Sequence, residues 1–230
     1  MNGYKYQLHC HTVTCSGCAR TTPAELVQAL VEGGYSGVVM TNHFFGGNTT
    51  IDRDLPWDKF VDAYVEDWQE CKKLAEPYDL DILFGIEECI GCGKEVLCYG
   101  LTPEMLYDHP ELRGAGLETY YNVLSPLGVL LIQPHPFIER DYIPEPGVHP
   151  LEFIDGIEIH NSGKNDKYNE MAESFAEEHP DLIRTSGGDA HSPDNCCKGG
   201  IISPVRIDSP EKLVEVLKSG DYSIIKREKH

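Results

Sequence analysis

Short apolar runs alternate with helix-patterned stretches along the 230-residue chain, and no other feature restricts its fold so strongly. The pattern predicts strands over 4–11, 37–41, 80–87, 95–99, 129–133, 154–160, 182–186 and 222–225. It predicts helices over 22–32, 60–74, 117–124, 169–178 and 210–218. The first helix carries its own start signals: Thr22 as N-cap, Pro23 at the first helical position, and Glu25 to close a capping box. Gly33-Gly34 ends it. Strands alternating with helices imply a parallel sheet covered by helices. Periodicity alone leaves open whether that sheet closes into a barrel. No linker, repeat or low-complexity tract divides residues 1–230, so the chain reads as one domain. No glycine-rich fingerprint follows the first strand, which argues against a dinucleotide-binding sheet.

The ends of these strands carry a second pattern. His9-Cys10-His11, Asn42-His43, Glu87-Glu88, His135, Glu158-Ile159-His160 and Asp189-Ala190-His191 each close a predicted strand or follow it closely. In a parallel α/β fold the C-terminal strand ends share one rim, where sites are built. A period of two points His9 and His11 the same way, and Asp189 and His191 likewise if extended. Two imidazoles on one face, with carboxylates from other strands, form a ligand set suited to Zn, Mn or Fe. His109, His149, His179 and His230 fall in loops, at a helix end or in the tail and read as packed or solvated.

Charge narrows the partners. With 19 basic and 38 acidic side chains the net charge is −19, which opposes binding to a nucleic-acid polymer. The longest apolar stretches, such as 129–132, are too short to cross a bilayer, and the opening residues Met1 to Lys5 lack the apolar core of a signal peptide. Nine cysteines without an export signal suggest mostly reduced thiols in a cytoplasm, some of them metal ligands.

His-Cys-His-Thr at 9–12, Thr-Asn-His at 41–43, Gly-Ile-Glu at 85–87, Pro-His-Pro-Phe at 134–137 and Gly-Gly-Asp-Ala-His at 187–191 resemble, in order, the motifs of the PHP (polymerase and histidinol phosphatase) family. The resemblance implies a distorted seven-stranded β/α barrel of TIM-barrel type, with two or three divalent metals (Zn, Mn or Fe) at its C-terminal rim. Its ligands map onto His9, His11, His43, Glu87, His135, Asp189 and His191, with Glu87 bridging two ions. Three positions depart from the family pattern. Asn42 stands where aspartate is usual, Glu95 where a histidine often opens the run, and Cys18 is the candidate for the ligand after the first pair. The catalytic assignments are Glu87, His135, Asp189 and His160, the last contacting substrate or assisting proton transfer. Arg20 and Arg140 are candidate phosphate contacts, because a planar guanidinium matches phosphate oxygens.

Cys15-x-x-Cys18 and Cys89-x-x-Cys92 have zinc-knuckle spacing, and either form a separate four-thiolate site or carry free thiols. The functional expectation is a metal-dependent phosphoesterase acting on a small phosphorylated substrate, of the histidinol phosphate, nucleotide or sugar phosphate class, through a metal-activated hydroxide. Two alternatives stand beside it: an amidohydrolase-like metal-dependent hydrolase, and a metal-binding regulatory domain without catalysis. Without metal, Glu87, Glu95 and Asp189 are expected to form a repulsive acidic cluster.

Overall fold

The computed structural model describes residues 3–227, and His230 lies outside them. In chain order the elements are β1 (Tyr4–Gln7), α1 (Pro23–Glu32), β2 (Gly37–Met40), α2 (Trp57–Ala75), β3 (Asp81–Phe84), β4 (Ile86–Cys89), β5 (Glu95–Tyr99) and α3 (Pro103–Asp108). They continue with α4 (Leu117–Leu124), β6 (Leu130–Gln133), β7 (Gly156–Asn161), α5 (Asp166–Glu178), β8 (Ile183–Gly187), β9 (Gly200–Ser203), α6 (Pro210–Ser219) and β10 (Ser223–Ile225).

The start signals read for α1 are all present. Thr22 accepts from the Glu25 backbone, Glu25 accepts from the Thr22 backbone, and Pro23 opens the helix. Such a cap contributes about 1 kcal/mol. The buried face of α1 (Leu26, Val27 and Leu30) packs with Val38 and Met40 of β2 and Cys71 of α2. Val39, the residue between those two β2 side chains, points the other way. It joins Tyr6, Leu83, Leu97 and Ile132 in a core to which both sheets contribute, closed by Leu213 and Leu217 of α6. Strand β2 is therefore buried on both faces, which explains its uninterrupted apolar sequence.

The architecture differs from the expected seven-stranded barrel. Among the described residues the strands form two five-stranded sheets, in the orders β10-β9-β1-β2-β3 and β4-β5-β6-β7-β8, and no barrel closes. Both sheets are mixed. Strands β1–β3 and β6–β8 run parallel, while β5 is antiparallel to both neighbours and β9 is antiparallel to β1 and β10. One cause lies at Gly85. The single strand expected over 80–87 breaks there into β3 and β4, which belong to different sheets. A Cβ at Gly85 would sit 2.8 Å from the Val39 side chain, so the crossing requires glycine. Isolated parallel bridges, Cys10 to Ala190 and His43 to Glu87, link the sheets where their strand ends converge. Among the described residues no helix is long and apolar enough to cross a membrane.

Candidate metal centre

His9 and His11 lie beyond the end of β1 but keep its alternation, so both imidazoles face one side while Cys10 packs between α1 and α2. Gln7 holds this extension. Its Oε1 accepts from the backbone N–H groups of His9 (3.1 Å) and Gly188 (2.8 Å), and its Nε2 donates to the Cys196 carbonyl. Glu87 comes from β4, Glu95 opens β5, and His43 follows β2. His135 and Asp189 enter differently. Their φ angles are +31° and +46°, in the left-handed region that costs non-glycine residues about 1–3 kcal/mol. The segment from Asp189 to His191 is thus turned, not extended, yet both side chains reach the site. The backbone N–H of His135 donates to Glu158 Oε2, which helps hold that turn.

These side chains converge. Glu87 Oε1 is 3.1 Å from His9 Nε2 and 3.7 Å from His135 Nε2, while Oε2 is 2.9 Å from His43 Nδ1 and 3.4 Å from His11 Nε2. Asp189 Oδ1 lies 3.6 Å from His9 Nε2 and 3.5 Å from His11 Nε2. Glu95 lies 3.6 Å from both His43 and His135. Cys18 Sγ sits between His43 Nε2 (3.2 Å) and His191 Nε2 (3.0 Å). His9 Nε2, His11 Nε2, His43 Nδ1 and both Glu87 oxygens are buried without a hydrogen-bond partner. Unpaired buried lone pairs are costly unless something fills the space they face. A divalent cation fits that requirement and this donor set. Three-residue groups able to hold one are His9–Glu87–His135, His9–His11–Asp189, His43–Glu87–Glu95 and His11–His43–His191.

Outer contacts orient the donors. Glu158 Oε1 accepts from His9 Nδ1 at 3.0 Å, which leaves Nε2 facing the centre, where a metal ion would replace its proton. Asn161 Nδ2 donates to Glu158 Oε2 at 2.7 Å. The repulsion expected among Glu87, Glu95 and Asp189 is felt at Glu95, while Lys164 Nζ pairs directly with Asp189 Oδ2 and relieves it there. Burial works against the His9 and His43 cations, but the carboxylates around them prevail. His9 is raised well above its ordinary value by Glu158, Glu87 and Asp189, and His43 is raised to about 11, mainly by Glu87. His11, buried and beside the His43 cation, is lowered. Burial and the Glu87 charge push Glu95 up to about 8. Burial would raise the Cys18 thiol, but hydrogen bonds from His191 and His43 bring it down to about 6. Above these groups opens a cavity of about 310 Å³, whose wall includes Tyr142, Arg140 and Lys164.

Most residues singled out from the sequence meet here: His9, His11, His43, Glu87, Glu95, His135, Asp189 and His191 form overlapping three-residue groups, Cys18 lies against His43 and His191, and Arg140 is on the cavity wall. Two do not. His160 is separated from Glu158 by a register shift in the β7–β8 ladder, so the alternation that would place them together is broken. Its Nε2 accepts from the Arg227 backbone instead, away from the cavity. Arg20 is exposed and does not line the cavity, although its backbone N–H donates to the His191 carbonyl. The two Cys-x-x-Cys pairs do not form a four-thiolate cluster. Cys15 is buried against Tyr64, whereas Cys18 faces the two histidines. Lys164 went unread in the sequence. Its signal was its place three residues beyond β7, on the same rim as the ligands.

No protein-family model matches the chain, and no curated protein matches its sequence. Solved structures do match. A two-domain protein of Bacteroides vulgatus, named as containing a PHP-like metal-dependent phosphoesterase, aligns with a TM-score of 0.71 at 15% identity over 98% of this chain. The fold is PHP-like. This chain spans 65% of the length of that Bacteroides protein. A structure from Bifidobacterium adolescentis, named a metal-dependent phosphoesterase, aligns with a TM-score of 0.52 at 16% identity, covering 93% of this chain and 96% of its own. An amidohydrolase from Chromobacterium violaceum, with bound sulfate and no metal, aligns at 0.54 and 14% identity, covering 96% and 98%. These likenesses are likenesses of fold.

Proposed function

We propose that the chain is a metal-dependent phosphoesterase that hydrolyses a small phosphomonoester of the histidinol phosphate, nucleotide or sugar phosphate class. The observation that carries this reading is the set of unpaired buried nitrogen and oxygen atoms of His9, His11, His43 and Glu87, beneath a cavity walled by the cations Arg140 and Lys164. His9, His11, Glu87, His135 and Asp189 would hold one or two ions, Glu95 and His43 would share a carboxylate with them, and Cys18, His43 and His191 would hold a third. Bound divalent metal would supply Lewis-acid polarisation of an ester oxygen and acidify a water.

The chain's own residues do the rest. Arg140, and Lys164 once released from Asp189, would balance charge on phosphate oxygens. Glu158 holds the His9 proton on Nδ1 throughout. A cavity of about 310 Å³ suits a phosphate with a modest leaving group, and a −19 chain offers no cationic track for a polymer. The names of the Bacteroides and Bifidobacterium structures support the phosphoester reading. All nine cysteines are unpaired, which suits a reducing cytoplasm.

The name of the Chromobacterium protein favours a second reading, hydrolysis of a C–N or carboxylic ester bond at the same centre. Substrates sharing one leaving group, joined as phosphate monoester, carboxylic ester or amide, separate the two. Phosphate release is expected from the first alone; turnover confined to the other two moves the assignment to the amidohydrolase reading.

A further inference from the structure

We infer that Asp67, a buried carboxylate on α2 with no place in the metal cluster itself, acts with the Thr12 backbone N–H to fix the Nδ1 tautomer of His11 through Asn42 and Ser16, and is therefore a positioning residue for the centre. The inference rests on His11 acting as a ligand through Nε2. Asp67 lies on the inward face of α2, where Phe60, Val61, Tyr64 and Cys71 are apolar, and it is 2% exposed. A carboxylate in such a place costs several kcal/mol unless it is well hydrogen-bonded. It is bonded to the loop beneath the site: Thr12 Oγ1 donates to Asp67 Oδ2 at 2.5 Å, and Asn42 Nδ2 donates to the same oxygen at 2.8 Å.

Donor and acceptor roles then follow without choice. The Thr12 backbone N–H can only donate and the carboxylate can only accept, so the Asn42 amide between them has one orientation. Asn42 Oδ1 faces Thr12 N at 2.7 Å and also receives the Ser16 hydroxyl at 3.0 Å. With its one proton committed to Asn42, Ser16 Oγ can only accept from its other neighbours. These are the His43 backbone N–H at 3.0 Å and His11 Nδ1 at 3.2 Å. His11 therefore carries its proton on Nδ1 and presents the Nε2 lone pair to Glu87 and Asp189, where Nε2 has no other partner. Turning Asn42 over would set its amide NH₂ against the Thr12 N–H and its oxygen against Asp67. The Thr12 N–H and Asp67 together forbid that turn. Asp67 thus does for His11, through two intermediaries, what Glu158 does for His9 by direct contact.

The test reads the tautomer itself. In metal-free protein labelled with ¹⁵N-histidine, His11 of the wild type should show the Nδ1–H pattern. Asp67→Asn keeps an acceptor oxygen for Asn42 Nδ2 and should leave both the tautomer and zinc affinity close to wild type. Asp67→Leu removes one of the two groups that fix the amide and leaves the Asn42 NH₂ without its acceptor, so His11 should become a mixture of tautomers and zinc affinity should fall about 10- to 100-fold, the range of outer-contact losses. If the leucine variant fails to fold, Ser16→Ala removes the acceptor at His11 with a smaller change and should give the same mixed tautomer. A folded Asp67→Leu or Ser16→Ala protein with an unchanged His11 pattern overturns the inference, as does Asp67→Asn losing as much zinc affinity as Asp67→Leu. Neither readout uses a phosphate ester, so failure of the proposed activity would leave this result intact.

Discussion

Glu87 and Glu88 are adjacent in β4, point to opposite faces and meet opposite fates, and a glutamine at position 88 measures the difference. Glu88 is 1% exposed and sits in the core beside α4, accepting from Tyr120 Oη at 2.8 Å and from the Gly46 backbone N–H. Burial pushes its carboxyl up from 4.5 to about 7, with those hydrogen bonds opposing the shift. The folded state therefore holds a proton that the unfolded chain releases earlier. Stability attached to this group is full below 4.5 and is lost as pH rises through about 7. The gap of about 2.5 units corresponds to about 3 kcal/mol at alkaline pH. Glu88→Gln keeps an oxygen for Gly46 and offers an NH₂ group to Tyr120, and it carries no charge to bury. The variant should match wild type near pH 4 and exceed it by about 3 kcal/mol near pH 9, a rise in Tm of about 6–12 °C for a chain of this size. Thermal unfolding of both proteins across that range is the assay. A Tm difference that does not grow with pH would refute the reasoning.

The centre itself offers three further tests. Glu87→Gln removes the charge that faces four histidines and should lower metal content together with activity, by more than the roughly 100-fold that outer contacts cost; elemental analysis showing full occupancy would count against a bridging role. Glu95→His replaces a hard donor with a softer one and should keep the metal while shifting preference from Mn or Fe toward Zn, read by competition between the ions. Cys18→Ala should remove one metal equivalent and leave the others, and peroxide should inactivate wild type faster than the variant, since a thiol brought down to about 6 is largely thiolate at neutral pH. Unchanged stoichiometry in that variant would exclude Cys18 as a ligand.

What was legible in the sequence follows from what depends on local order. The capping box of α1 and the alternation that aims His9 and His11 together are short-range facts, and both are found in the structure. The sheet division was not legible, because it turns on a close contact between Gly85 and Val39 that only the folded chain creates. His160 was misplaced by one irregularity in a ladder, which suffices to undo a period of two. Strand geometry could not foresee the left-handed turns at His135 and Asp189, although their residue types already marked them as ligands. Lys164 was marked only by its place just beyond β7, and nothing in the neighbourhood of Asp67 on α2 announces its contact with the loop under the site.

On the proposed function, these histidines and carboxylates bind metal in order to hydrolyse a phosphate ester. The most direct measurement is phosphate release from a panel of histidinol phosphate, nucleotides and sugar phosphates, with metal content determined on the same preparations of wild type and His9→Ala. Release by wild type should depend on added Mn or Zn, be abolished by chelation, and be absent in His9→Ala together with at least one equivalent of metal. Wild-type protein that carries its full metal and releases no phosphate from any member of the panel, or His9→Ala protein that releases it at the wild-type rate, would contradict the claim.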